Sequence, residues 1–246
     1  MKILFLSAVA LGLAVVPARA AEVKAAVAAN FTAPMKEIAI AFERASGHKA
    51  SLSFGSTGKF YVQLANGAPF EVFLAADAEH PARAEAEGLA IAGTRFTYAV
   101  GKLVLWSAKP GLVDGRGEVL RGGGFNKLSI ANPKTAPYGA AALDVLGNLG
   151  LMPGIEAKLV YGDSIAQAHQ FVATGAADLG FVALAQVVLD GSGSRWPVPD
   201  HLYRPIVQQA VMLRPGAANP AAKALLAFLK TPEALAIVSK FGYAAE

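Results

Sequence analysis

The chain has 246 residues, a formal net charge of +4 and no cysteine. Only 16% of residues are charged and 54% are apolar, so there is enough apolar surface to offset chain entropy, and intrinsic disorder is excluded. Without cysteine there can be no disulfide scaffold, thiolate metal site or cysteine nucleophile. The small charge excess forms no Lys/Arg cluster of the kind that tracks nucleic-acid phosphates.

Residues 1–20 read as an export signal. Lys2 gives a positive start, Ile3 to Val16 is apolar apart from Ser7 and Gly12, Pro17 ends the run, and Ala18-Arg19-Ala20 is a small-residue cleavage pattern. The apolar run of 14 residues falls short of the roughly 20 that a spanning helix needs, which argues against a membrane anchor. There is no cysteine for lipid attachment. The mature chain is expected to begin at Ala21, to carry +2 after losing Lys2 and Arg19, and to be periplasmic.

The mature part alternates strand and helix signals. Val23 to Ala28 predicts a strand, and Pro34 to Ser46 a helix with Met35, Ile38, Ala39 and Phe42 at helical spacing. Ser51 to Phe54 and Val72 to Ala75 predict strands, Lys59 to Ala65 and Pro81 to Glu87 short helices. Leu103 to Ser107 predicts a strand, and Gly111 to Gly124 a glycine-rich loop. Strands at Leu128 to Ala131, Leu159 to Tyr161 and Leu179 to Val182 are each followed by a helix, at Gly139 to Leu149, Ile165 to Thr174 and Leu184 to Leu189. Gly191 to Asp200 reads as loop and Ile206 to Leu213 as a long strand. Two helices close the chain, started by Asn219-Pro220 and Thr231-Pro232. The alternation predicts an α/β fold with largely parallel sheet, either one sheet or two lobes with crossings near residues 100–105 and 203–210.

Four strand-to-helix turns share one chemistry: Ala28 to Pro34, Phe54 to Gly58, Ala131 to Gly139 and Tyr161 to Ile165. Each is small, polar and nearly neutral. In open α/β sheets, ligands sit beyond the carboxyl ends of strands. A helix N-terminus there offers free N–H groups and roughly half a positive charge. Ordinary N-capping explains any one of these turns; four together suit an anion.

The run Ala26-Val27-Ala28-Ala29-Asn30-Phe31-Thr32-Ala33-Pro34-Met35 resembles the opening of periplasmic molybdate-binding proteins. So do Ser53-Phe54-Gly55-Ser56-Thr57-Gly58, the block Gly67-Ala68-Pro69-Phe70-Glu71-Val72-Phe73-Leu74-Ala75-Ala76-Asp77, Pro137-Tyr138-Gly139, Gly162-Asp163-Ser164-Ile165 and Phe241-Gly242-Tyr243. The resemblance implies a two-lobed α/β solute-binding fold, each lobe a mixed sheet flanked by helices. Residues 21–102 and 205–246 would form the first lobe, and 103–204 the second. It implies a non-enzymatic receptor, expected to be monomeric and free of cofactors. The receptor would close over molybdate or tungstate and deliver it to the membrane permease of an ABC transporter. Carried over, the resemblance assigns ligand binding to Asn30 and Thr57 from the first lobe and to the backbone N–H groups of Tyr138 and Ile165 from the second. Ala29 and Ser56 stand beside them. The usual form has serine at position 30 and a tyrosine at position 183, here Ala183. A variant branch pairs asparagine in the first turn with tyrosine in the third, and Tyr138 would then replace the missing phenol.

A site made only of donors suits molybdate and tungstate, which are fully deprotonated dianions at neutral pH. Phosphate keeps a proton and wants an acceptor, whereas sulfate is separated only by size. These two oxyanions are the alternative ligands. Asp163 is expected to cap its own helix and point away from the anion. The enzyme alternative is a secreted GDS-type esterase, from Gly162-Asp163-Ser164, but a triad needs a positioned histidine and the Asp-x-x-His block of those enzymes is missing near the end. Gly55-Ser56-Thr57-Gly58-Lys59 lacks the spacing of a phosphate loop. No turn carries the ligand cluster of a ferric site or an arginine clamp for organic acids.

Overall fold

The computed structural model describes residues 20–244. The export segment expected at 1–20 therefore lies, apart from Ala20, outside the described residues. The strands are β1 (Glu22–Ala28), β2 (Lys49–Gly55), β3 (Val72–Leu74), β4 (Phe96–Gly101), β5 (Leu103–Ser107), β6 (Leu128–Ala131), β7 (Leu159–Gly162), β8 (Leu179–Ala183), β9 (Ser194–Pro197) and β10 (Ile206–Met212). The helices are α1 (Thr32–Ser46), α2 (Thr57–Ala65), α3 (Glu79–Ala86), α4 (Val119–Gly122), α5 (Pro137–Asn148), α6 (Met152–Ile155), α7 (Ile165–Ala173), α8 (Pro220–Phe228) and α9 (Pro232–Lys240).

The strands form two five-stranded sheets, in the orders β2-β1-β3-β10-β4 and β7-β6-β8-β5-β9. Helices flank each, giving the two-lobed α/β architecture. The sheets are mixed rather than largely parallel. In the first, β1 pairs in parallel with β2 and β3, while β10 runs antiparallel to both β3 and β4. In the second, β6 is parallel to β7 and β8, while β5 runs antiparallel to β8 and β9. Each sheet thus has one reversed strand, and it is the strand by which the chain arrives from the other lobe. The crossings fall at Gly101–Leu103 and between Pro197 and Ile206.

Local sequence explains the elements that carry the cleft. Ala26, Val27 and Ala28 of β1 are buried, because a central strand is covered on both faces and needs no polar alternation. Met35, Ile38 and Phe42 are spaced along one face of α1 and are fully buried against that sheet. The helix ends where Gly47 takes a left-handed φ of 70°, a conformation that costs glycine little. The core of the second lobe, built on Leu105, Ile130, Val145 and Phe181, also reaches Ala28, Ala29 and Ala76 of the first. The second lobe's core therefore extends across the interface to residues at and just after the ends of β1 and β3.

Three element predictions are corrected. Leu184 to Leu189 is not a helix; only a 3-10 turn forms, at Leu184–Gln186. The loop read at 191–200 contains β9, an edge strand on β5 whose Arg195 and Pro197 hide the strand signal. The glycine-rich loop at 111–124 contains the single turn α4, anchored by buried Leu120. No helix among the described residues is long and apolar enough to cross a membrane.

Candidate functional site at the lobe interface

The ends of β1, β2, β6 and β7 meet in one narrow cleft between the lobes. Ala28, Ala29, Asn30, Gly55, Ser56, Thr57 and Ala76 line it from the first lobe, and Ala136, Pro137, Tyr138 and Ile165 from the second. All six residues singled out in the sequence, Ala29, Asn30, Ser56, Thr57, Tyr138 and Ile165, are thus brought together. No lining residue carries a charge.

Four helix starts point into this cleft. The first N–H groups of a helix have no intrahelical acceptor. A 3-10 turn at Ala29–Phe31 runs directly into α1, which leaves Ala29 and Asn30 at its open end. α2 begins at Thr57 after an extended Ser56, and α7 begins at Ile165 after an extended Ser164. In α5 the first residue is Pro137, which has no N–H, and Gly139 N–H is bonded to Ala136 O at 2.9 Å. Tyr138 therefore supplies the open donor of that turn. Such ends attract negative charge.

The first lobe adds buried side chains. Ser56 is 5% exposed, and its Oγ is buried without a hydrogen-bond partner. An orphaned buried hydroxyl costs roughly 1–3 kcal/mol, so it marks a place where an acceptor belongs. Thr57 Oγ1 accepts from Ala76 N–H at 2.9 Å. That bond turns the hydroxyl's own proton away from Ala76.

Asn30 is engaged beneath the cleft. Its Nδ2 donates to Gln208 Oε1 at 2.7 Å and to Tyr243 Oη at 2.9 Å, and Tyr243 Oη donates back to Asn30 O at 2.8 Å. Tyr98 Oη donates to Gln208 Oε1 at 3.0 Å, and Gln208 Nε2 donates to Tyr138 Oη at 3.3 Å. Both amide hydrogens of Asn30 are thus spent on Gln208 and Tyr243. Burial pushes the phenol pKa values of Tyr98, Tyr138 and Tyr243 far up, so the network is neutral. The Tyr138 hydroxyl lies on its hinge side, and Ala183 ends β8 fully buried, away from the cleft. Nothing in the local pattern announced Gln208 or Tyr98, and Tyr243 stood in the terminal Phe241-Gly242-Tyr243 match with no role assigned to it. The one available signal was polar residues within apolar runs, such as Gln208 in Ile206–Met212.

Two contacts bridge the lobes at the mouth. Gly58 N–H donates to Thr135 O at 2.9 Å, and a Cβ at position 58 would stand 3.0 Å from Thr135 Cα. Lys59 pairs with Asp163 at 2.9 Å. The expectation that Asp163 caps α7 is corrected: Ser164 is the cap, its Oγ accepting from Gln167 N–H at 3.3 Å. Asp163 has turned outward to the lysine, which keeps its carboxylate off the neutral cleft. Ser164, the nucleophile of the esterase alternative, is thereby used as a cap. A wider groove beside the cleft holds Asp77, His80, Lys134, Asp144 and Arg204. His80 pairs there with Asp77 and Arg204 with Asp144.

Comparison with known proteins agrees with this geometry. The family model of bacterial extracellular solute-binding proteins matches residues 23–244. The molybdate-binding protein ModA of Azotobacter vinelandii is 63% identical over 235 residues, covering 94% of this chain and 93% of the relative. ModA of Rhodobacter capsulatus is 56% identical over 239 residues, covering 97% and 94%. A solved periplasmic molybdate-binding protein of Azotobacter vinelandii superposes with a TM-score of 0.88 at 45% identity, over 91% of this chain and 99% of that one.

Proposed function

The chain belongs to the bacterial extracellular solute-binding proteins, and we propose that it works by closing two lobes over a tetrahedral oxyanion held by neutral donors. It is a periplasmic molybdate-binding component of an ABC transporter, not an enzyme. Its partner is the transporter's permease. Tungstate, nearly the same in size and charge, is a second ligand in this reading. The leader is removed after Ala20, and the protein acts as a monomer, since one chain supplies both walls of the cleft.

The observation that carries the mechanism is the orphaned Ser56 hydroxyl among four helix starts in a cleft without charge. Ser56 Oγ and Thr57 Oγ1 donate from the first lobe, together with the N–H groups of Ala29, Asn30 and Thr57. Tyr138 N–H and Ile165 N–H donate from the second. Hydrogen bonds to an ion are about twice as strong as neutral ones, and the ion selects the closed form because it touches both lobes. A dianion with no proton matches such a donor set. Monohydrogen phosphate would leave its proton without a dedicated acceptor, and sulfate is the smaller ion.

Calorimetric titration with molybdate, tungstate, sulfate and phosphate tests this reading. Sub-micromolar binding of molybdate and tungstate with little response to the other two is expected. Sulfate binding as tight as molybdate binding would overturn it.

A further inference from the structure

Tyr138 belongs to both lobes at once. Its backbone N–H opens into the cleft at the start of α5, while its ring runs back to the hinge. There Gln208 Nε2 donates to its hydroxyl at 3.3 Å. Gln208 is fully buried on β10, opposite Ala99 of β4, and its Oε1 accepts from Asn30 Nδ2 at 2.7 Å. One amide side chain on the returning strand thus joins a cleft residue of the first lobe to a cleft residue of the second. The hydroxyl also rests against Gly101, the last residue before the first crossing. A Cβ placed there would stand 2.2 Å from Tyr138 Oη, 2.8 Å from Gln208 Nε2 and 3.0 Å from Tyr138 Cζ. Gly101 has no left-handed φ, so glycine is required at that position by the close approach and not by backbone conformation.

We propose that Gln208 and Gly101 form a hinge seat for the Tyr138 hydroxyl, and that they are positioning residues for anion capture. The Tyr138 N–H reaches its place in the cleft when the hydroxyl is seated, so closure of the hinge and completion of the donor set are one event. The phenol is a strut between lobes and not a ligand. The proposal rests on the oxyanion-receptor reading and assigns that site its closing mechanism.

The test uses the mature chain and four proteins: wild type, Gly101→Ala, Tyr138→Phe and the double variant. Each is titrated calorimetrically with molybdate and measured by small-angle scattering with and without it. Tyr138→Phe alone empties the seat and should lose about three- to tenfold in affinity, the scale of one neutral hydrogen bond, and should close less fully with molybdate present. Gly101→Ala should lose roughly ten- to a hundredfold, the scale of forcing a methyl group into a packed contact, and should stay more open with molybdate present. Adding Tyr138→Phe to Gly101→Ala removes the nearest of the atoms that the new methyl meets, leaving the amide end of Gln208 at 2.8 Å, and should recover part of that loss. Wild-type affinity in Gly101→Ala, or no recovery in the double variant, overturns the seat while leaving the receptor reading intact. A loss in Tyr138→Phe as large as that of a deleted ligand donor would make the phenol a ligand and also overturn it. Failure of the wild type to bind molybdate would instead overturn the receptor reading and the seat with it.

Discussion

The two walls of the cleft are built differently. The first lobe adds the buried hydroxyls of Ser56 and Thr57 to its backbone N–H groups, with Asn30 braced from below. The second offers backbone only, the N–H groups at the starts of α5 and α7, behind residues whose side chains pack into the lobe's core. One wall therefore depends on residue identity as well as helix placement, and the other on helix placement alone. Conventional side-chain substitutions can dissect the first wall but will pass over the second.

The sharpest way to break this comparison is to delete a backbone donor. Ile165 is the first residue of α7, where proline is tolerated, and Ser164 before it is already extended. Ile165→Pro should weaken molybdate binding by about 1.5–3 kcal/mol, the range for hydrogen bonds to charged groups. Ile165→Ala should reduce thermal stability through the lost core contact yet keep affinity within about threefold, a difference well under the 1.4 kcal/mol of a tenfold change. Equal losses of affinity in both variants would show that the isoleucine side chain, not its N–H, matters.

On the first wall, Ser56→Ala and Thr57→Val should separate. Both are expected to weaken binding by about 1–3 kcal/mol. Thr57→Val should also lower the melting temperature of the ligand-free protein, because it orphans Ala76 N–H. Ser56→Ala should leave that temperature unchanged or raise it, since the hydroxyl has no partner to lose. Calorimetry and thermal melts on each variant check this pairing.

Away from the cleft the contrast reverses, and the second lobe leans on a side chain. Lys109, together with the N–H groups of Asn126 and Lys127, holds the Asp178 pKa down at about 2. A lowered carboxylate pKa stabilises the fold above the ordinary carboxylate range and loses that contribution as the pH falls toward the folded value. Melting temperature should therefore decline between about pH 4 and pH 2, and Asp178→Asn should flatten that decline while lowering stability at neutral pH. The smallest effect is expected at the Lys59–Asp163 bridge, whose side chains are 47% and 71% exposed. Lys59→Ala should change affinity by less than about fivefold, and less still in high salt, as for other exposed pairs.

Much of the cleft was legible from sequence because its parts are local. A strand, a small polar turn and a helix start each occupy a few consecutive residues, so the four turns were legible locally, while the ligand-binding residues within them came from the family resemblance. The bracing beneath them was not legible. Asn30 meets Gln208 and Tyr243 across 178 and 213 residues of chain, and no periodicity encodes such a meeting. The same limit applies to β4, whose pairing with β10 brings Gly101 opposite Ile206 at the hinge. It also explains Asp163: its turn composition suggested a cap, but Lys59 of the other lobe decides where the carboxylate points.

The most direct test of the account is where molybdenum sits. A crystal of the mature protein grown with molybdate, with diffraction collected at the molybdenum absorption edge, locates the metal by its anomalous signal. One strong peak is expected in the neutral cleft, with the ion's oxygens within hydrogen-bond reach of Ser56 Oγ, Thr57 Oγ1, Tyr138 N and Ile165 N. A peak in the neighbouring charged groove beside Lys134 and Arg204, with the cleft empty, would contradict it.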